Sequence, residues 1–379
     1  MRLYLFQLLL GLGIGSVVST GNALAQAAAP DDGIHAAVIA NQFDLDGNGR
    51  QFLLGEAGKN DFFLLGELHG DSEIPALLEA LWPELWKQGY HHVAGELSPW
   101  AANQLEHVPA GAGPEIQGLW TKHEATVVHG GAAANATVLW GCDMEEEQLP
   151  LLIRELASLN RGDASLKEMV TITQDGYSRK LAPRLLELTR ESKSTGDRTV
   201  NDVSLRQNIL DTLEIETNRL NPATKMIAQN EREMLMKRLL LAHLRVSPLA
   251  QTKIFLRFGR NHLHRGYDER GISTLGNFIA EWAVGQGRST FNVGAFGAGG
   301  KATLMGETFD ADEREDELTF AFLAGQAKYT ATVFDLRPLR PLLHGIPREK
   351  RTALETNLIF WADAYDALIC YKNVTPRKP

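Results

Sequence analysis

Cysteine is nearly absent. The chain carries Cys142 and Cys370 among 379 residues, with no C-x-x-C and no Cys/His zinc spacing. That excludes a disulfide scaffold and a structural zinc finger. Each cysteine lies beside an apolar run ("ATVLWGC", "YDALICY"), so a bridge between them and a pair of buried free thiols both remain open. Positive charge is also scarce: 38 Lys and Arg face 47 Asp and Glu, a formal net charge of -9, and the basic residues form no stripe. Nucleic acid is therefore not expected as a partner. Beyond residue 25 no apolar run reaches the roughly 18 residues that a membrane span needs. A G-x-S-x-G nucleophile elbow, a P-loop and a dinucleotide fingerprint are all missing, which argues against serine hydrolase, nucleotide and NAD chemistry.

The first 25 residues differ from the rest. Arg2 is followed by an apolar run from Leu3 to Val18 and a small-x-small cleavage site at Ala23 and Ala25, the pattern of a secretory signal peptide. A secreted or periplasmic protein, free of the membrane once the signal is removed, is expected. Residues 26–60 form an Ala-, Gly- and Asp-rich lead-in. Within it "DLDGNG" (Asp44 to Gly49) suggests an EF-hand. The loop's twelfth position is Gly55, where calcium would need a bidentate glutamate, so a tight turn with positive φ at Asn48-Gly49 is the better expectation.

From residue 61 strands and helices alternate. "FFLL" precedes a helix near Ser72, "HHVAGEL" reaches Glu96, and "ATVLWGCDM" reaches Asp143 before the helical "EEEQLPLLIRELASL". Strand signals resume at "KIFLRFG", "STFNVGAF", "TATVFDL" and "ALICYK", with "ISTLGNFIAEWAV" a helix between the first two. Short apolar strands followed by helices predict an α/β domain over 61–379. Its architecture is three-layer, a mostly parallel sheet with helices on both faces. A strand-free stretch of helix formers predicts a helical insertion at about 164–246. "GAFGAGG" (Gly294 to Gly300) reads as a flexible turn, or else as a substrate-binding or lid loop.

Open α/β sheets bind ligands outside the carboxyl ends of their strands. Four such ends carry titratable or polar groups: Glu67 and His69; Glu96; Asp143; and Arg260, Asn261, His262 and His264. Gly66-x-x-His69 recurs as Gly259-x-x-His262, each directly after an apolar strand. Glycine permits a sharp turn there and keeps the space above the strand end open. Histidine held by a carboxylate can activate water as a general base. The same set, His69, Glu96 and His262, could instead ligate a divalent metal. The other histidines have no partner at recognisable spacing.

"LLGELHG", "VAGELS", "VLWGCDME" and "YDALICYKNVTP" resemble, in that order, segments of the erythromycin esterase-like family. That family sits in a wider group with the Tiki/TraB-like metallopeptidases and the ChaN-type haem-binding uptake proteins. The resemblance implies a strand-end cleft and hydrolysis of an ester, lactone or amide in a small-molecule or peptide substrate, with no cofactor required. His69 would be the general base, oriented by Glu67 and Glu96, with His262 and Arg260 assisting across the cleft. Glu73, Asp143, Asn261 and His264 are the expected substrate contacts. Two positions depart from the esterases: Ser72 stands where they carry arginine, and Gly259 where they carry the first histidine of a pair. The G-x-x-H form at Gly259 is similar to the Tiki-like branch and implies a divalent-metal hydrolase or peptidase as the alternative. The ChaN-type relatives imply another, a haem or small-ligand binder without turnover.

Overall fold

In a computed structural model the described residues are 32–109, 111, 112, 116, 118–192, 200–246, 252–304 and 306–377. The expected signal peptide lies outside them. Among the described residues no helix is long and apolar enough to cross a membrane.

Among the described residues nine strands form the sheet: β1 (Gln42–Asp44), β2 (Phe62–Glu67), β3 (Tyr90–Gly95), β4 (Leu139–Gly141), β5 (Lys253–Gly259), β6 (Thr290–Leu304), β7 (Glu307–Asp312), β8 (Ala331–Asp335) and β9 (Ala367–Tyr371). Their order is β1-β8-β9-β6-β2-β5-β3-β4, with β7 paired to the far end of β6. The strands from β9 to β4 run parallel; β1 and β8 add an antiparallel edge. Alternation within β2 explains the layering. Phe62 and Leu64 enter one apolar cluster, Phe63 and Leu65 the other, and all four are at most 1% exposed. Helices Glu73–Lys87, Pro99–His107 and Lys122–His129 cover the Phe63 face. Helices Lys225–Val246, Leu275–Gly285, Leu318–Gln326 and Ala353–Ala364 cover the Phe62 face. The expected three-layer α/β architecture is present.

The expected helical segment comprises Ala164–Ile172, Ala182–Glu191, Val200–Leu220 and Lys225–Val246. Leu149–Leu159 joins the first three around their own apolar core. That preceding helix starts at Leu149 rather than Glu145, because the Glu145 carboxylate accepts from Gln148 N and Ser98 Oγ and holds the intervening residues in a loop.

Three local expectations are corrected. The lead-in supplies strand β1 and helix Arg50–Lys59, and residues 45–49 wind into a helical turn. Gly49 has φ -67°, not a positive value, because Asn48 Oδ1 accepts from Asp44 N and closes the turn in the helical sense. "GAFGAGG" is neither a flexible turn nor a lid but lies inside β6. Its glycines make close strand contacts possible: a Cβ on Gly297 would stand 2.3 Å from the Ala311 carbonyl oxygen, and one on Gly300 2.2 Å from that of Val374. The two cysteines are buried and unbridged, and burial pushes the Cys370 thiol up to about 12.

Candidate functional site

Parallel pairing of β2 with β5 sets Glu67 opposite Gly259, so both G-x-x-H turns leave the sheet side by side. His69 Nδ1 donates to Glu67 Oε1 at 3.0 Å. The other Glu67 oxygen accepts from Nε of Arg257, a β5 residue whose side chain is 1% exposed. Burial opposes ionisation of Glu67, but Arg257 and His69 outweigh it and hold the carboxyl below its usual range. An ionised Glu67 keeps the His69 proton on Nδ1, leaving Nε2 as a free base. Burial lowers the His69 pKa, yet the Glu96 and Glu67 carboxylates prevail and raise it above the ordinary 6.5.

Glu96 follows β3 and stands between the two histidines. Its Oε2 lies 3.6 Å from His69 Nε2, and its Oε1 lies 3.5 Å from His262 Nε2. Gly259 N donates to Oε2 at 2.6 Å, and Arg232 Nη2 to Oε1 at 2.7 Å. Burial works against the ionised form, but His262, His69, Arg232 and the Gly259 amide keep Glu96 strongly acidic. His262 has a carboxylate of its own: its Nδ1 lies 2.5 Å from Glu233 Oε1, while Glu233 Oε2 accepts from Leu275 N at 2.8 Å. The site therefore contains two carboxylate-held imidazoles facing opposite oxygens of one fixed carboxylate.

Glycine acts here through space and not through backbone freedom. Neither Gly66 nor Gly259 has positive φ. A Cβ at Gly259 would meet His69 Nε2 at 2.6 Å, and one at Gly66 would meet Arg260 Cα at 2.9 Å.

Asp143 joins the site through Arg232, whose Nε donates to Oδ1 at 3.0 Å. Glu96, Asp143 and Arg232 open onto a cleft of about 90 Å³ walled by Leu97, Trp120 and Met144. Asn261 is half-buried on the turn beside His262. Arg260 is turned to other partners: Ala295 O at 2.5 Å, Glu313 Oε1 at 2.6 Å, and the rings of Phe320 and Trp361. The guanidinium that touches Glu96 is instead that of Arg232. His264 is buried against Phe360, Trp361 and Tyr365, and burial lowers its pKa to about 4. Glu73 binds Thr375 N and Oγ1 in the C-terminal segment.

The residues fit a metal ion poorly. Both Glu96 oxygens already accept hydrogen bonds, Oε1 from the Arg232 guanidinium and Oε2 from the Gly259 amide. Among the described residues no three His, Cys, Asp or Glu side chains are grouped to hold one. A haem iron fits no better, since both free imidazole nitrogens face a carboxylate rather than an open apolar slot.

No protein-family model matches the sequence, and no curated protein matches it. Solved structures do. A Bacillus cereus protein of known structure superimposes with TM-score 0.60 at 14% identity, covering 92% of this chain and 99% of its own. A succinoglycan biosynthesis protein gives 0.60 at 13%, with the same coverage. A mutant of erythromycin esterase EreC in its open conformation gives 0.56 at 14%, covering 89% of this chain and 96% of that one. The fold is shared with erythromycin esterase. The resemblance read from the short motifs thus holds at the level of architecture.

Within this fold, sequence reasoning missed Arg232, Glu233, Arg257 and Glu124. Arg257 left a signal, since a lone arginine inside the buried strand "KIFLRFG" has to meet a carboxylate. Arg232 and Glu233 left none, because they lie in a helix crowded with charges ("NEREMLMKR").

Proposed function

We propose that this chain is a secreted or periplasmic hydrolase of an ester, lactone or amide bond, with water activated by His69. The observation that carries the reading is the His69 imidazole, fixed through Nδ1 by Glu67 and free at Nε2 beside Glu96. In this reading Nε2 removes a proton as the water oxygen attacks the carbonyl carbon. Glu67 and Glu96 stabilise the imidazolium that forms. The proton then passes to the departing alcohol or amine as the carbonyl–heteroatom bond breaks. In its doubly protonated form, His262, held through Nδ1 by Glu233 on the other side of Glu96, donates from Nε2 toward the developing oxyanion. Arg232 keeps Glu96 ionised and in place. The closed donor set around Glu96 favours a reaction that needs neither metal nor haem.

The test is a panel of esters, lactones and amides hydrolysed by the wild-type protein and by His69→Ala. Loss of about 10²- to 10⁴-fold in kcat/KM is expected for the variant. A variant with full activity overturns the reading. Loss of wild-type activity on chelation would point to a metal-dependent hydrolase instead, and a Soret shift with haemin and no turnover to a haem binder.

A further inference from the structure

The last described residues of the chain are bound to the loop that carries His69. Ser72 N donates to Thr375 O at 2.9 Å, Ser72 Oγ to Pro376 O at 2.9 Å, and Arg377 N to Gly70 O at 2.9 Å. Thr303 N from β6 donates to the same Gly70 oxygen at 2.7 Å. Backbone from two sides thus fixes the residues that directly follow the histidine.

The Arg377 side chain continues inward. Its Nη1 donates to Leu119 O at 2.7 Å, and its Nη2 pairs with Glu124 Oε2. The other Glu124 oxygen pairs with Arg257 Nη1, and Arg257 Nη2 shares the Leu119 carbonyl at 3.2 Å. Arg257 Nε then holds Glu67, which holds His69. The ions alternate in sign from the C-terminal segment to the imidazole, and Glu67, Glu124 and Arg257 are almost wholly buried. In a dry interior such a chain has few alternative arrangements, since any displaced member strands its neighbour's charge.

We propose that Arg377 is a positioning residue: through Glu124, Arg257 and Glu67 it holds the His69 ring in the orientation that leaves Nε2 facing Glu96. The inference rests on the reading of His69 as the base, but its test does not need turnover. Besides Glu67, the charged groups acting on His69 are Glu96 and Arg232. His262 is held by Glu233, on the opposite face of the sheet from Glu124, and serves as an internal control.

The experiment is NMR of ¹⁵N-histidine-labelled protein, with the His69 and His262 rings assigned by single substitutions. In the wild type His69 should show the Nδ1–H tautomer with a proton protected from exchange. In Arg377→Ala that proton should exchange at least about 10-fold faster and the tautomers should mix, while His262 stays unchanged. Arg377→Lys should restore much of the protection. Glu124→Gln keeps an oxygen for the Thr121 cap and should reproduce the selective His69 change if Arg377→Ala does not fold. Where a substrate is known, kcat of Arg377→Ala should fall roughly 10-fold with KM within about 2-fold. An unaltered His69 ring in the folded variants overturns the proposal, and so does an equal change at His262. A selective His69 change in a protein without hydrolytic activity would leave the positioning role standing and remove the hydrolase reading.

Discussion

Replacing Arg257 with methionine tests the core of the site, because an unbranched apolar side chain then stands where the guanidinium and its charge were. Arg257 is 1% exposed and joins Glu67 and Glu124, each 4% exposed. Removing one partner of a buried ion pair costs about 3–5 kcal/mol, since the other is left charged and dry. The loss is not doubled here, because Glu67 keeps His69 and Glu124 keeps Arg377 and Thr121. A net destabilisation of about 4 kcal/mol is therefore expected. In urea, with an m-value of about 3 kcal/mol/M, the midpoint should fall by roughly 1.3 M. The triple variant Arg257→Met, Glu67→Gln, Glu124→Gln removes all three charges and should recover at least about half of that loss. A single variant that unfolds at the wild-type urea concentration would refute the reasoning. A triple variant no more stable than the single one would refute it as well.

Three further outcomes follow from the geometry. His69 must be neutral to act as a base and its pKa is raised, so kcat/KM should rise with pH along an acid limb above 6.5. Glu67→Gln removes one of the groups that raise it and should move that limb to lower pH; an upward move contradicts the assignment. Asp71 is pushed up to about 7, chiefly by burial. Its contribution to stability is thus complete below about pH 4 and lost as pH rises through 7. Asp71→Asn keeps an oxygen for Ile74 N and should stabilise the protein above pH 7 by on the order of 4 kcal/mol, read from urea midpoints at pH 5 and 8. Gly259→Ala places a methyl group 2.6 Å from His69 Nε2. It should lower kcat about 100-fold or more while the far-UV circular dichroism spectrum stays unchanged.

Much of the site is legible in the sequence. Buried parallel strands are short apolar runs, and the chain leaves each of them through its first polar residues; Glu67, His69, Glu96, Asp143 and His262 stand out for that reason. The motif pair Gly66-x-x-His69 and Gly259-x-x-His262 located the two imidazoles that meet at Glu96. The functions of those glycines were less legible, because a 2.6 Å clash with a side chain from another strand has no trace in local sequence. Side-chain direction escaped for the same reason. Arg260 and His264 share a turn with His262, yet Arg260 turns to Glu313 and His264 to Phe360.

The sequence by itself determined the layered α/β frame and which strand ends bear acid and imidazole, because both depend on periodicity and on the first polar residue after an apolar run. Only the tertiary structure decided what those groups do to one another. Arg232 and Glu233 enter the site because the helix Lys225–Val246 crosses the ends of β3 and β5, more than a hundred residues from Glu96 along the chain. Arg377 reaches Glu124 because the C-terminal segment returns over the His69 loop. Charge pairing across such separations is set by the approach of elements in space, which no local pattern encodes.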